Sequence, residues 1–354
     1  MFEDLLRAWD GEEVAIHHDG ATGAWMFACV HSTVLGPAMG GTRMRAYATP
    51  HDGLADGLRL SGAMTLKQAV ADLALGGGKA VVAVASIPAP GSSERRELLL
   101  RYAALVDSLG GTYLTAADMN TGSADMDVIG ERTSFVLGRS PEQGGSGDPG
   151  ADTAVGVFHG IRATALRALG SSDVAGLRVL VQGVGAVGWR LAELLAEAGA
   201  KPLVADADAQ RAGVLGERLG VEVVGVDEVI GTECDIYAPC ATGGVLNEET
   251  IPRLRCRAVA GSANNQLASP QDASRLRDAG IVYAPDYVVN AGGVIHLAGY
   301  ETLGWDDAKM ADRLEGIGDT LAGIFATADR EQITTDAAAE RIATTRIEAA
   351  RAAG

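Results

Sequence analysis

RVLVQGVGAVGWRLAELLAEAGAKPLVADAD, residues 178–208, changes its hydrophobic rhythm three times in one segment. An apolar run of strand length, RVLVQ, passes into a glycine turn, then into apolar residues at helical spacing, then into a second apolar run ending on Asp206. Strand, glycine turn, helix and strand in that order form a βαβ unit suited to a dinucleotide. In Gly183-Val184-Gly185-Ala186-Val187-Gly188 the first glycine makes the tight turn. The second admits a pyrophosphate to the backbone, and the third lets the helix close on the strand. Unbonded N–H groups at the helix start then face the phosphate charge. Asp206, some twenty residues on, stands where a carboxylate accepts ribose hydroxyls and repels a 2′-phosphate. Asp208 is placed to share that role, and no arginine follows until Arg211, so the segment predicts NAD rather than NADP.

Downstream the rhythm continues, with a helix over 208–219 and apolar runs near 222, 235, 258 and 282, the pattern of a doubly wound parallel sheet. Upstream lies the strongest breaker in the chain, SPEQGGSGDPGAD (140–152), read as the interdomain hinge. Before it, AWMFACV (24–30), AVVAVA (80–85) and TYLTAAD (112–118) alternate with helix-like stretches over 52–72 and 93–109, again an α/β layout. The expected α/β architecture has two domains: 1–145, for substrate and oligomerisation, and 150–325, a Rossmann NAD-binding domain. The Ala-rich segment from Trp305 reads as amphipathic helices, with about 325–354 packing back on the first domain. At 354 residues the chain exceeds the size at which a single core keeps growing.

Hydrophobic residues make up 47% of the chain, yet no apolar run approaches the roughly 20 residues that span a bilayer. The opening MFEDLLRAWDGEE lacks a basic and an apolar signal region, so a soluble, cytoplasmic protein is expected. Cys29, Cys234, Cys240 and Cys256 have no metal spacing and are too few for a disulfide framework, so no metal is expected. A net charge of −17 excludes nucleic acid as a partner.

Chemistry is expected in the first domain, where GAMTLKQAVADLALGGGKAVV (62–82) sets Lys67 in an apolar helical stretch and Lys79 after three glycines, at the start of a strand. A lysine in such a setting is normally held by a carboxylate or used. The glycines are read as letting backbone approach a ligand. Asp118 ends an apolar strand, the side of an α/β sheet on which ligands bind. Asp125 and Asp127 lie nearby, and Ser123 or Asp125 is read as capping a helix start.

GPAMGGTR (36–43), GAMTLKQAVADLALGGGK (62–79), ADMNTGSADMD (117–127), VQGVGAVG (181–188), CDIYAPCATGGVLN (234–247), AGSANNQL (260–267) and YAPDYVVNAGGVIHL (283–297) together resemble the glutamate/leucine/phenylalanine/valine dehydrogenase superfamily. The likeness runs in order from about residue 10 to 300. It implies that Lys67 anchors a substrate α-carboxylate, that Lys79 is the general base and that Asp118 shuttles protons to and from the substrate nitrogen. It further implies that Asn264 lies near substrate and nicotinamide, that Thr153 holds the carboxamide, and that Cys240, Ala241 and Ala260 line the cofactor without Cys240 being catalytic.

Glutamate-using members carry a lysine immediately before the Gly-Gly of the first motif; here Met39 precedes Gly40. With Ala116, Val294 and Leu297 as the other implied pocket positions, the expected substrate is an apolar L-amino acid, oxidised reversibly to its 2-oxo acid and ammonia, leucine or valine favoured. MNTGSADMD, the His296-Leu297 pair and YETLGW (300–305) look more like phenylalanine-using relatives, which keeps phenylalanine open. His296 is read as filling the pocket wall. A catalytically silent NAD-binding regulator and a hydroxy-acid dehydrogenase are the readings from other classes, and the two-lysine site speaks against both. A homo-oligomer is expected.

Overall fold

The computed structural model describes residues 2–353. The chain divides into two compact units, Met1–Asp148 with Tyr300–Gly304 and Ala343–Gly354, and Pro149–Gly299 with Trp305–Ile342.

The first unit contains α1 (Phe2–Ala8), β1 (Glu13–Asp19), β2 (Ala24–Ser32), β3 (Ala38–Ala46), α2 (Pro50–Val70), β4 (Gly76–Val84), α3 (Ser93–Ser108), β5 (Tyr113–Ala117) and α4 (Ser123–Gly130). Its five strands lie in the order β1-β2-β4-β3-β5, with β4 in the middle, antiparallel to β2 and parallel to β3. The period of two along a strand sorts side chains to two faces. Ala80, Val82 and Met44 join Leu98, Leu99, Tyr102 and Met126 beneath α3 and α4, while Cys29 and Val81 join Leu54 and Leu58 of α2. Helix α2 begins with a capping box in which Thr49 and Asp52 bond each other's backbone, with Pro50 at its first position. At its other end Arg346 donates to the carbonyls of Ala69 (2.8 Å) and Leu73 (3.1 Å), a cation where the helix dipole is negative.

The three glycines before Lys79 do something other than open a path for ligand. A Cβ on Gly76 would sit 1.9 Å from the Ser32 carbonyl oxygen, one on Gly77 2.1 Å from the Thr65 nitrogen of α2, and one on Gly78 2.8 Å from the Tyr113 ring. They let a helix and neighbouring backbone press onto the central strand. The segment read as a hinge is tied on the first unit's side: the Glu301 carboxylate accepts from Gly138 (3.0 Å) and Ser146 (2.8 Å) backbone N–H groups, and Asp127 accepts from Ser140 (2.9 Å).

The second unit contains α5 (Gly150–Leu169), β6 (Arg178–Gln182), α6 (Ala186–Glu197), β7 (Lys201–Ala205), α7 (Ala209–Leu219), β8 (Glu222–Val223), β9 (Ile236–Pro239), β10 (Ala258–Val259), α8 (Gln271–Asp278), β11 (Val282–Tyr283), α9 (Asp286–Val289), α10 (Gly292–Leu297) and α11 (Asp307–Glu331). Its six strands are all parallel, in the order β8-β7-β6-β9-β10-β11. Counted within the unit this is 3-2-1-4-5-6, the doubly wound order, with its topological switch between β6 and β9. The final helix, α12 (Thr335–Ala353), begins in the second unit and ends in the first. The return to the first unit therefore covers 343–354 and the short segment 300–304 rather than all of 325–354.

Candidate active site

On the α2 face of the first sheet, register places Met39 beside Gly77 and Leu114, and Gly41 beside Ala116, with Lys79 two residues beyond Gly77 on the same side of β4. Met39 and Ala116 are fully buried. Asp118, one residue past β5, comes to this face because Gly41 has no side chain; a Cβ there would lie 2.8 Å from the Cβ of Asp118. Gly40 is fixed by packing as well, its missing Cβ falling 1.8 Å from the Gly78 carbonyl oxygen. The turn after β5 holds Asp118 from behind, its backbone N–H donating to Thr121 Oγ1 (2.9 Å), which donates to the Thr42 carbonyl (2.8 Å).

Lys79 Nζ lies 3.1 Å from Asp118 Oδ1, and its side chain is 6% exposed. Burial holds the Lys79 ammonium below the ordinary lysine range; Asp118 works against that and Arg43 with it. Burial alone would raise the Asp118 carboxyl, but the charges of Lys79 and Arg43 outweigh it and hold it down to about 2. Lys67 is half-buried in the last turn of α2, the helix that covers this face. The residue not singled out from sequence is Arg43, whose Nε donates to Asp118 Oδ2 (2.9 Å) and whose Nη1 donates to Asp56 (2.9 Å). Strand alternation from Met39 would have found it. Asp125 belongs to structure, accepting from Gly122 N–H (2.9 Å) at the start of α4 and from Arg95 (2.6 Å).

In the second unit the glycine turn closes at two points and opens at one. Gly183 has φ +97°, and a Cβ on it would meet Ala241 at 2.6 Å; one on Gly188 would meet the Gly183 carbonyl oxygen at 1.9 Å. Gly185, between them, has nothing within 4 Å of that position, and α6 starts at the next residue, Ala186, followed by Val187. The opening lies beside the switch point, and Asp206 is oriented across it, accepting from Val184 N–H (2.7 Å) and Asp208 N–H (2.8 Å). A turn open at the helix N-terminus with a fixed carboxylate fits a dinucleotide. Asp208 is occupied otherwise, capping α7 through the Arg211 N–H at 3.1 Å. Arg211 itself reaches back to Asp206 at 3.7 Å, which the sequence reading had not anticipated.

Cys240 follows β9, its N–H bonded to the Gln182 carbonyl (2.7 Å), and burial pushes its thiol up, away from a reactive thiolate. Ala241 is exposed beside the turn and Ala260 is fully buried after β10. Asn264 is exposed, its Oδ1 accepting from Asn290 at 2.8 Å. Thr153 sits in the first turn of α5, bonded to the Pro149 carbonyl (2.8 Å), and meets α10 where a Cβ on Gly293 would lie 3.1 Å from its Oγ1. Val294 is half-buried and Leu297 buried. His296 is more than filler: its Nδ1 pairs with Asp152 at 2.7 Å, joining α10 to α5. Among the described residues no helix is long and apolar enough to cross a membrane.

A doubly wound dinucleotide fold, carried on one chain with a buried lysine paired to an aspartate, accords with what the dehydrogenase relatives show the chain to be: an amino-acid dehydrogenase, an oxidoreductase acting on CH–NH2 donors. The chain belongs to the glutamate/leucine/phenylalanine/valine dehydrogenase family, matching its dimerisation domain over residues 14–135 and its second family model over 144–224 and 215–354. Enzymes of this family depend on a pyridine nucleotide. The chain is 42% identical to the leucine dehydrogenase of Geobacillus stearothermophilus over 348 residues, covering 98% of this chain and 94% of that one. It is 45% identical to the valine dehydrogenase of Streptomyces albus over 344 residues, covering 96% and 93%. The crystal structure of L-tryptophan dehydrogenase from Nostoc punctiforme superposes with a TM-score of 0.84 at 37% identity, covering 99% of both chains.

Proposed function

We propose that this enzyme catalyses the reversible NAD-dependent oxidative deamination of an apolar L-amino acid, with leucine or valine preferred. The observation that carries the reading is Lys79, a lysine held below its ordinary range by burial and left one oxygen of a shared carboxylate. A base must be neutral when it acts and is most useful with its pKa near the working pH. The bound nicotinamide supplies the hydride acceptor. Lys67 holds the substrate carboxylate as a point charge. Lys79 takes the proton from the water that adds to the imino carbon, and Asp118 passes protons to and from the nitrogen. Gly183 to Gly188 receive the pyrophosphate, and Asp206 the ribose hydroxyls, which favours NAD.

The substrate preference rests on Met39, Ala116 and Leu297, all buried and apolar, and on the names of the leucine and valine dehydrogenase relatives. An apolar wall leaves an unpaired polar side chain without a partner. Phenylalanine stays the second reading, on the motifs MNTGSADMD and YETLGW. The active form is taken to be a homo-oligomer, since residues 14–135 match a dimerisation domain. The test is NADH formation from leucine, valine, isoleucine, phenylalanine and glutamate, with NADP in a parallel series. Lys79→Ala should keep NADH binding and lose turnover by about a thousandfold or more, within the range general-base catalysis contributes; Lys67→Ala should chiefly raise KM. A Lys79→Ala enzyme of near-normal kcat refutes the assignment.

A further inference from the structure

The carboxylate facing Lys79 is divided between two cations. Oδ1 of Asp118 meets Lys79 Nζ at 3.1 Å and Oδ2 meets Arg43 Nε at 2.9 Å. Arg43 is braced from behind by Asp56, which accepts from Nη1 at 2.9 Å and also from Tyr47 (2.8 Å) and Arg59 (2.8 Å). The side chains of Arg43 and Asp56 are each 14% exposed, so these pairs are little screened by water. We propose that Arg43 is a positioning residue of the active site: by holding Asp118 through Oδ2 it leaves Lys79 a single oxygen, and it sets a second fixed positive charge on the same carboxylate.

This deepens the proposed role of Lys79 as base and rests on it. The charged and titratable groups that act on Lys79 are Asp118 after β5, Arg43 on β3 and Asp56 on α2, with Cys29 opposite it on β2, whose thiol burial lifts to about 12; Tyr47 and Arg59 reach Asp56 instead. Of these, Arg43 is the cation bonded to the carboxylate that Lys79 needs. A carboxylate given wholly to Lys79 would favour the ammonium; one shared with a permanent cation favours it less. Arginine suits the task because its planar fork reaches two carboxylates on different elements, which a lysine nitrogen cannot do in the same geometry.

The test compares the full-length enzyme with Arg43→Met, Arg43→Gln and Arg43→Lys. For Arg43→Met the acid limb of the kcat/KM profile should move to higher pH by about one unit, with roughly a tenfold loss below it that recovers at high pH. Arg43→Gln keeps a donor for Asp118 without the charge and should shift likewise, which covers the case of a methionine variant that fails to fold. Arg43→Lys keeps the charge without the fork, so the acid limb should return most of the way to the wild-type pH while some rate stays lost at every pH. Trace acetylation of Lys79 with acetic anhydride across pH, read by peptide mass mapping without cofactor, should show the same rise in midpoint. A labelling midpoint that moves while the rate profile stays fixed supports Arg43 and overturns Lys79 as the base. Loss of rate equal at every pH with unmoved labelling, in folded Met and Gln variants, overturns the positioning role.

Discussion

At Asp206 one carboxylate serves the backbone and, in the proposed reading, the cofactor as well. Its oxygens accept from Val184 and Asp208 N–H groups, so its aim is set before any ribose arrives, and Arg211 stands 3.7 Å away. Asp206→Ser should therefore lower kcat/KM with NAD by about tenfold, the value of one charge-assisted hydrogen bond, and raise it with NADP, since the carboxylate that repels a 2′-phosphate is gone and Arg211 keeps only its pair with Asp208 at 3.4 Å. Steady-state kinetics with both cofactors checks this, and unchanged selectivity would mean that Asp206 does not govern the choice. Lys79, Asp118 and Asp206 were legible because each is a charge at one end of an apolar strand. Arg43 lay within reach of the strand alternation from Met39, but Gly40 and Gly41 interrupt the apolar run that would have drawn attention to it. Asp152 and His296 were beyond reach for another reason: 144 residues separate them, and only the packing of α10 on α5 makes them a pair.

Among the elements, α12 carries a conflict that the sequence conceals. Asp336 in its first turn lies near Asp286 and Glu340, and burial first, then those charges, raise its carboxyl to about 6. The folded value lies above the ordinary carboxylate value, so the folded state binds this proton more tightly than the unfolded one. The stability gained is complete below the unfolded value and is lost as pH rises through 6. Asp336→Asn should then raise the melting temperature at pH 7 and leave it nearly unchanged near pH 3.5, as scanning calorimetry at the two pH values can establish. Helix α2 shows the opposite case at its start, where Thr49, Pro50 and Asp52 mark the end by local chemistry, while its other end waits for Arg346, far along the chain. Its seat was not readable, because the Gly76 to Gly78 run says only that side chains are missing. What fills the space is Thr65 backbone, the Ser32 carbonyl and the Tyr113 ring.

For the molecule as a whole, the second unit was the more legible half. A parallel sheet needs a crossover after each strand, so strand and helix alternate along the chain, and the order 3-2-1-4-5-6 follows from the glycine turn and the five runs after it. The first unit resists such reading, since β4 inserts between β2 and β3, and a strand added between earlier neighbours leaves no local mark. That same insertion fixes where the proposed base sits in the order of unfolding. All nine residues of β4 are buried, both edges are hydrogen-bonded, and helices cover both faces. Amides in such a segment exchange with heavy water only when the surrounding unit opens, so the β4 peptides should be among the last to take up deuterium, measured by mass spectrometry. The lysine then shares the lifetime of the whole fold: a warmed enzyme should keep its turnover until the first unit melts and lose both together, without a range of temperature in which it is folded but idle.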